Sequence, residues 1–321
     1  MRRHLDTTGV ALVAVSAIGF GLSGPLARAA GDVGFTGTTF AFWRSAGSVA
    51  ALAALLAIGV ALGRLPRVPL RALRPMEWLQ LLAMGLFVAG TTLGLFLGFE
   101  RTTIALTLIV FYTYPIIVAI AAVRIYGEPL GLRRSGAILL ASAGMVLVVL
   151  GPAASDSDGA DLLGVLFALA AAACQTGYAL VASRGFSSVP SFQAATLLRG
   201  FSLLAYVVLL VPLVLLIGDG DRLLDPLTGI DAWVLIVLAG VFSAALPTAG
   251  LVAGYRRVGP TRGAVLMLLE PVTGALLAAL LLAEQPAPVQ LAGGLLVLTG
   301  AALVQLAPSR HAHTPAEPAA E

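Results

Sequence analysis

Uncharged apolar runs of about twenty residues repeat along the chain, separated by short stretches that carry arginine, glycine and proline. A helix rises 1.5 Å per residue, so roughly 20 apolar residues cross the ~30 Å of hydrocarbon in a bilayer. Ten runs reach that length: 8–28, 36–60, 78–98, 103–123, 132–151, 162–183, 191–217, 232–254, 262–283 and 288–307. Each is continuously apolar rather than alternating, which fits helices and not the strands of a membrane barrel. The predicted fold class is therefore an all-α integral membrane protein with ten transmembrane helices. The first run follows Arg2 and Arg3, as in a signal peptide, yet it continues through Ser23, Gly24 and Pro25 to Arg28 and has a counterpart later in the chain. Retention is expected.

That counterpart belongs to an internal duplication. Sliding the chain against itself by 155 to 156 residues places Arg44 on Arg199, Gly94 and Gly98 on Gly250 and Gly254, and Pro115, Glu128 and Gly144 on Pro271, Glu284 and Gly300. Five helices per unit is an odd number, so the second copy crosses the membrane in the opposite sense and the halves are inverted repeats. The expected domains are residues 1–152 (helices 1–5), 153–307 (helices 6–10) and a disordered cytoplasmic tail, 308–321, rich in Pro and Ala. Inverted repeats are the build of secondary transporters, with the substrate site near the midplane between the halves and access alternating by rocking.

Composition agrees with a lipid-embedded chain: 59% of the 321 residues are hydrophobic and only 11% charged, and the mean hydropathy is +0.98. A soluble domain needs a charged shell and a disordered chain needs few apolar residues, so both classes are excluded. All 19 basic residues are arginine, and the absence of Lys and Asn points to a GC-rich bacterial genome. Fourteen arginines fall on the side of the N-terminus, from Arg2 and Arg3 through Arg64 and Arg133 to Arg310, against Arg28, Arg101 and Arg222 on the other. The positive-inside rule then puts both termini in the cytoplasm, in a bacterial inner membrane. The net charge of +3 reports this topology, and no nucleic-acid partner is expected. With one cysteine, Cys174, and histidines only at positions 4, 311 and 313, neither a disulfide nor a metal centre is expected. There is no phosphate-binding loop, metalloprotease motif or nucleophile elbow, so the chain is read as neither an enzyme nor a cofactor binder.

Three charges lie deep inside the apolar runs, away from their ends: Arg44, Arg199 and Glu270. Each costs about 2.5–3.5 kcal/mol on insertion scales, so each needs a reason. Glu270, just before Pro271, reads as a proton acceptor, as a counter-charge for a substrate amine, or as a structural ion pair with Arg199, which sits at about the same depth. Arg44 reads either as a fork for a substrate carboxylate or as a side chain snorkelling to the interface. Its half of the repeat offers no carboxylate, since Tyr114 stands where the second half has Glu270.

Each half closes on one pattern, Tyr114-Pro115 through Gly127-Glu128 to Gly136 and Gly144, and Glu270-Pro271 through Ala283-Glu284 to Gly293 and Gly300. In this the chain resembles the paired EamA domains of the drug/metabolite transporter superfamily. The resemblance implies a ten-helix carrier with cytoplasmic termini, and a cavity among the first, third, fourth, sixth, eighth and ninth helices. It also implies substrates such as amino acids, sugars, nucleotide precursors or drugs, with export of amino acids or their metabolites in several members. Candidate substrate contacts are Ser23, Trp43, Arg44, Thr91, Thr92, Tyr112, Tyr114, Gln175, Tyr178 and Glu270, with Ser16, Thr113 and Thr248 as further polar positions; Glu270 and Arg199 are the candidate coupling residues. Glu128 and Glu284 read as helix-end residues bonding loop amides.

The expected function is secondary-active export of a small metabolite by alternating access, with a small-molecule substrate, membrane lipid and protons as partners, in a monomer or weak homodimer. The alternatives are a channel or sensor without coupled transport, or an importer of sugar-like or nucleoside-like solutes.

Overall fold

The computed structural model describes residues 6–101, 104–127, 131–153, 161–184, 188–212, 227, 229–282 and 287–306, and every regular element among them is helical. In chain order these are α1 (Thr7–Gly21), α2 (Ser23–Asp32), α3 (Gly37–Ala61), α4 (Pro75–Arg101), α5 (Ile104–Phe111), α6 (Tyr114–Tyr126), α7 (Leu132–Ala153), α8 (Leu162–Arg184) and α9 (Ser191–Ala205). They continue with α10 (Ile230–Gly240), α11 (Leu246–Val258), α12 (Pro260–Met267), α13 (Leu269–Leu282) and α14 (Pro288–Leu306). A π-helical turn, Tyr206–Leu210, extends α9, and a second, Val241–Ala245, joins α10 to α11.

Eight stretches among the described residues are long and apolar enough to cross a bilayer, including Thr7–Asp32, Gly37–Ala61, Ile230–Val258 and Pro260–Leu281. The fifth and tenth expected spans, α7 and α14, are helices packed along each other. α7 opens on Arg133 and Arg134, and the apolar stretch of α14, Leu291–Val304, is shorter than a span. Outward faces carry large apolar side chains, such as Leu139 and Leu280, as lipid requires. The acidic linker 155–160, Glu128, Glu284 and the tail 308–321 lie outside the described residues.

The halves are related by contacts as well as by sequence. α4 lies along α8 as α11 lies along α1, and α4 against α9 mirrors α10 against α3. A Cβ on Gly94 would come 2.8 Å from the Phe167 carbonyl and 3.0 Å from the Ala171 Cβ; its repeat partner Gly250 would meet Ser16 at 2.6 Å and the Leu12 carbonyl at 3.4 Å. Phe167 and Ala171 are themselves the repeat partners of Leu12 and Ser16, each 155 residues on. Even the helix-end ion pairs repeat: Arg101 reaches Asp161 at 3.3 Å and Arg257 reaches Asp6 at 3.6 Å. Both aspartates also cap the following helix, Asp6 accepting from the Gly9 N–H at 2.8 Å and Asp161 from the Leu163 N–H at 3.0 Å. Half-exposed pairs of this kind are worth at most about 1 kcal/mol, so they fix register more than stability.

Without a hydrophobic drive between helices in lipid, close packing of small residues carries the association. At the α7–α14 contact a Cβ on Gly144 would sit 2.6 Å from the Gly293 carbonyl, and one on Gly300 2.7 Å from the Ala137 carbonyl. Gly144→Ala and Gly300→Ala should each cost about 1–3 kcal/mol through overpacking against backbone. Gly200→Ala, where a Cβ meets nothing within 4 Å, should be neutral or up to ~1 kcal/mol stabilising. Thermal unfolding of the three purified variants in detergent checks the contrast.

Candidate functional site

Two spans are interrupted at the same place in the repeat. α5 and α6 break at Tyr112 and Thr113, and α12 and α13 break at Leu268, which is Tyr112 plus 156 residues. Pro115 and Pro271 follow each break and withhold an N–H from the new helix. The first span breaks too, at Leu22 between α1 and α2. The breaks meet: a Cβ on Gly21 would lie 2.4 Å from the Thr273 hydroxyl and 3.1 Å from the Glu270 carbonyl. Interrupted helices inside a membrane protein are tolerated where they face protein or a watered cavity, and corresponding breaks in two halves point to the binding site.

The two intramembrane arginines converge on the π-helical turn between α10 and α11. Arg44 donates from Nε to the Ser243 hydroxyl at 3.0 Å, and from Nη2 to the Ser23 hydroxyl at 3.0 Å and to the Ser243 carbonyl. Arg199 donates to the Thr248 hydroxyl from Nε at 2.9 Å and from Nη2 at 2.6 Å, and to the Ala244 carbonyl at 3.4 Å. Ser243 and Ala244 are successive residues near the middle of the 29-residue span Ile230–Val258. A π turn misaligns the backbone ladder and leaves carbonyl oxygen free to accept side-chain donors. Ser243 and Thr248 are braced in turn, donating to the Ala239 carbonyl at 2.9 Å and the Ala244 carbonyl at 2.6 Å.

The origin of that turn is visible in the repeat. Gly85, Phe87 and Ala89 fall on Gly240, Phe242 and Ala244 at a spacing of 155, whereas Thr92 and Gly94 fall on Thr248 and Gly250 at 156. One residue has been added between these sets, and the π turn Val241–Ala245 lies where it is absorbed. The first half keeps an uninterrupted helix there, with Val88 at the place of Ser243.

Two expectations are corrected by this geometry. Arg199 does not form the ion pair with Glu270; among the described residues it is held by Thr248 and Ala244, because the π turn presents acceptors within its reach. Arg44 does not snorkel outward, being tied to Ser23 and Ser243. Although its own half supplies no carboxylate, the fold brings Glu270 of the other half within electrostatic reach of it.

Glu270 stands in the first turn of α13, where the helix dipole favours a carboxylate. Among the described residues its side chain accepts no hydrogen bond, and the residue is only partly buried. Tyr112, Tyr114 and Tyr255 lie in its field. Tyr114 donates to the Ala264 carbonyl at 3.3 Å, and its ring sits 5.4 Å from that of Phe111, so the cluster is fixed on both sides of the breaks. Tyr178 packs edge-on against Tyr255 at 6.2 Å.

The remaining candidates are dispersed. Thr91 approaches the Ala171 carbonyl at 3.5 Å in the α4–α8 contact, and Thr92, Ser16 and Thr113 bond carbonyls of their own helical segments, the commoner fate of a hydroxyl in a helix. Gln175 is partly exposed with no protein partner among the described residues. Trp43 packs against Phe42 at 5.2 Å and Trp233 at 6.3 Å, in a separate apolar cluster with Phe35 and Phe40. Ser243 and Tyr206, which interacts with both arginines, were not singled out from the sequence. The change of repeat spacing from 155 to 156 was the available signal for Ser243.

Comparison with known proteins agrees with this architecture. Residues 7–150 and 162–306 each match the EamA-like transporter family. A protein of Synechocystis sp. described as an uncharacterized transporter is 27% identical over 237 residues, covering 72% of this chain and 67% of that one. A crystal structure of a protein superposes with a TM-score of 0.71 over 94% of this chain and 97% of its own, at 19% identity, a likeness of fold. The paired match spans most of the chain, in the two halves that the glycine contacts relate, and the chain belongs to the EamA-like transporter family within the drug/metabolite transporter superfamily: it is a multi-pass membrane transporter.

Proposed function

We propose that the chain is a secondary-active carrier, ten helices with both termini cytoplasmic, that exports a small metabolite across a bacterial inner membrane by alternating access. The observation that carries this reading is a carboxylate, Glu270, beside a helix break and within the field of Arg44 from the opposite half. Rocking the halves changes the distance between such groups, which couples a proton on Glu270 to the position of the halves. Amino acids, their relatives and drug-like molecules are the substrate range this reading starts from. On this reading the chain carries no catalytic role, and its energy source is a gradient.

Glu270→Gln keeps the shape and removes the titration. In liposomes it should flatten the pH dependence of efflux at least tenfold over two pH units; an unchanged profile overturns the coupling role. If the single variant cannot be purified, Glu270→Gln combined with Arg44→Gln removes both charges together and should restore folding.

A further inference from the structure

We propose that Arg44 and Arg199 together bind a singly charged organic anion, so that the transported molecule carries a carboxylate without a compensating ammonium group. This deepens, and rests on, the carrier reading above.

The two guanidiniums come from repeat-equivalent positions on α3 and α9 and dock on successive residues of one turn, Ser243 and Ala244. They are close enough to act on each other electrically. Each uses Nε and Nη2 on the protein; neither Nη1 has a protein partner among the described residues, and neither is among the sealed, unpartnered buried atoms. Two N–H pairs left without a protein partner, each on a planar fork, are a donor set that a carboxylate takes. Tyr206 lies in the field of both arginines, and Tyr112 and Tyr114 in that of Glu270.

Charge decides between ligand classes. Away from the ends of the spans the described charges are Arg44, Arg199 and Glu270, so this inner region keeps an excess of at least one positive charge whether or not Glu270 holds a proton. Uncompensated charge in a low-dielectric interior is costly. A cation increases the excess, a zwitterion leaves it unchanged, and a monovalent anion reduces it.

The test uses the full-length protein and ligand sets that share one carbon skeleton at three charges. These are propionate, alanine and ethylamine; 4-methylpentanoate, leucine and isopentylamine; and 3-phenylpropionate, phenylalanine and phenethylamine. At least one carboxylate should raise the melting temperature at a concentration tenfold or more below its zwitterionic and cationic partners. Arg44→Gln and Arg199→Gln should each weaken that binding at least tenfold, and Arg44→Lys should weaken it less. The ranking within each set on unaltered protein stands even if a variant does not fold. Binding of no carboxylate, or binding of an amino acid or amine as tightly as its carboxylate, overturns the proposal. Counterflow in liposomes separates the two readings. An anion that binds but never moves overturns the carrier and leaves the anion site. Saturable movement of amino acids or amines with the anions excluded overturns the anion site and leaves the carrier.

Discussion

Deleting Ala245 should leave the protein folded but reduce transport at least tenfold, whereas deleting Leu238, seven residues earlier in α10, should prevent folding. At 3.6 residues per turn, removing one residue from a regular helix rotates everything beyond it by about 100°. After a deletion at Leu238, Gly240, which precedes the π turn, would no longer face Gly47 of α3, and Val241 would meet the backbone of Gly47 and Ser48 in its place. The π turn Val241–Ala245 is already one residue long for an α-helix, so removing Ala245 relaxes it to α while Gly240 and Gly250 keep their faces. The first half, with α4 uninterrupted between Gly85 and Gly94, is the structure this deletion would copy. What is lost is the pair of misaligned carbonyls on which Arg44 and Arg199 rest. Size-exclusion profiles and melting curves of the two deletions, followed by liposome efflux for the folded one, give the readout. Equal instability of both would show that the π turn is not the site of the added residue.

The sequence made the large-scale architecture legible because membrane helices and a duplication leave strong signals. Apolar runs mark the spans, and a spacing of 155 to 156 residues that runs from Arg44 and Arg199 to Gly144 and Gly300 marks the halves. The intramembrane charges were legible for the same reason: in so apolar a chain each one stands out. Their partners were not, because a contact such as Arg44 with Ser243 joins residues 199 apart and depends on how the helices pack. The depth argument placed Glu270 and Arg199 together, since equal distances from a helix end resemble proximity; the structure separates them because depth says nothing of which neighbour a helix face meets. α7 and α14 show a different limit. Their pairing follows from the reciprocal fit of Gly144 and Gly300, yet an arginine-bearing start and a short apolar stretch weaken their mark as spans.

Thr248→Val should cost about 3 kcal/mol of stability in the wild-type background and within about 1 kcal/mol once Arg199 is replaced by Met. Valine matches threonine in volume, so packing at this 2% exposed position barely changes. What changes is the guanidinium. Arg199 is 6% exposed and places two of its hydrogen bonds on the Thr248 hydroxyl, leaving only the long contact to the Ala244 carbonyl when that oxygen is gone. A buried cation without acceptors carries its desolvation cost unrelieved. Arg199→Met alone strands nothing comparable, because Thr248 still donates to Ala244 at 2.6 Å. The double-mutant cycle should therefore show a coupling of about 2 kcal/mol, read from denaturation of the four proteins in one detergent. Additive costs would mean that Arg199 finds other acceptors, water in an open cavity foremost. Thr92→Val, at the equivalent place in the first half, serves as the control: its hydroxyl donates to the Val88 carbonyl at 3.1 Å and meets the Tyr206 hydroxyl, but takes no arginine among the described residues, and its loss should cost about 1 kcal/mol.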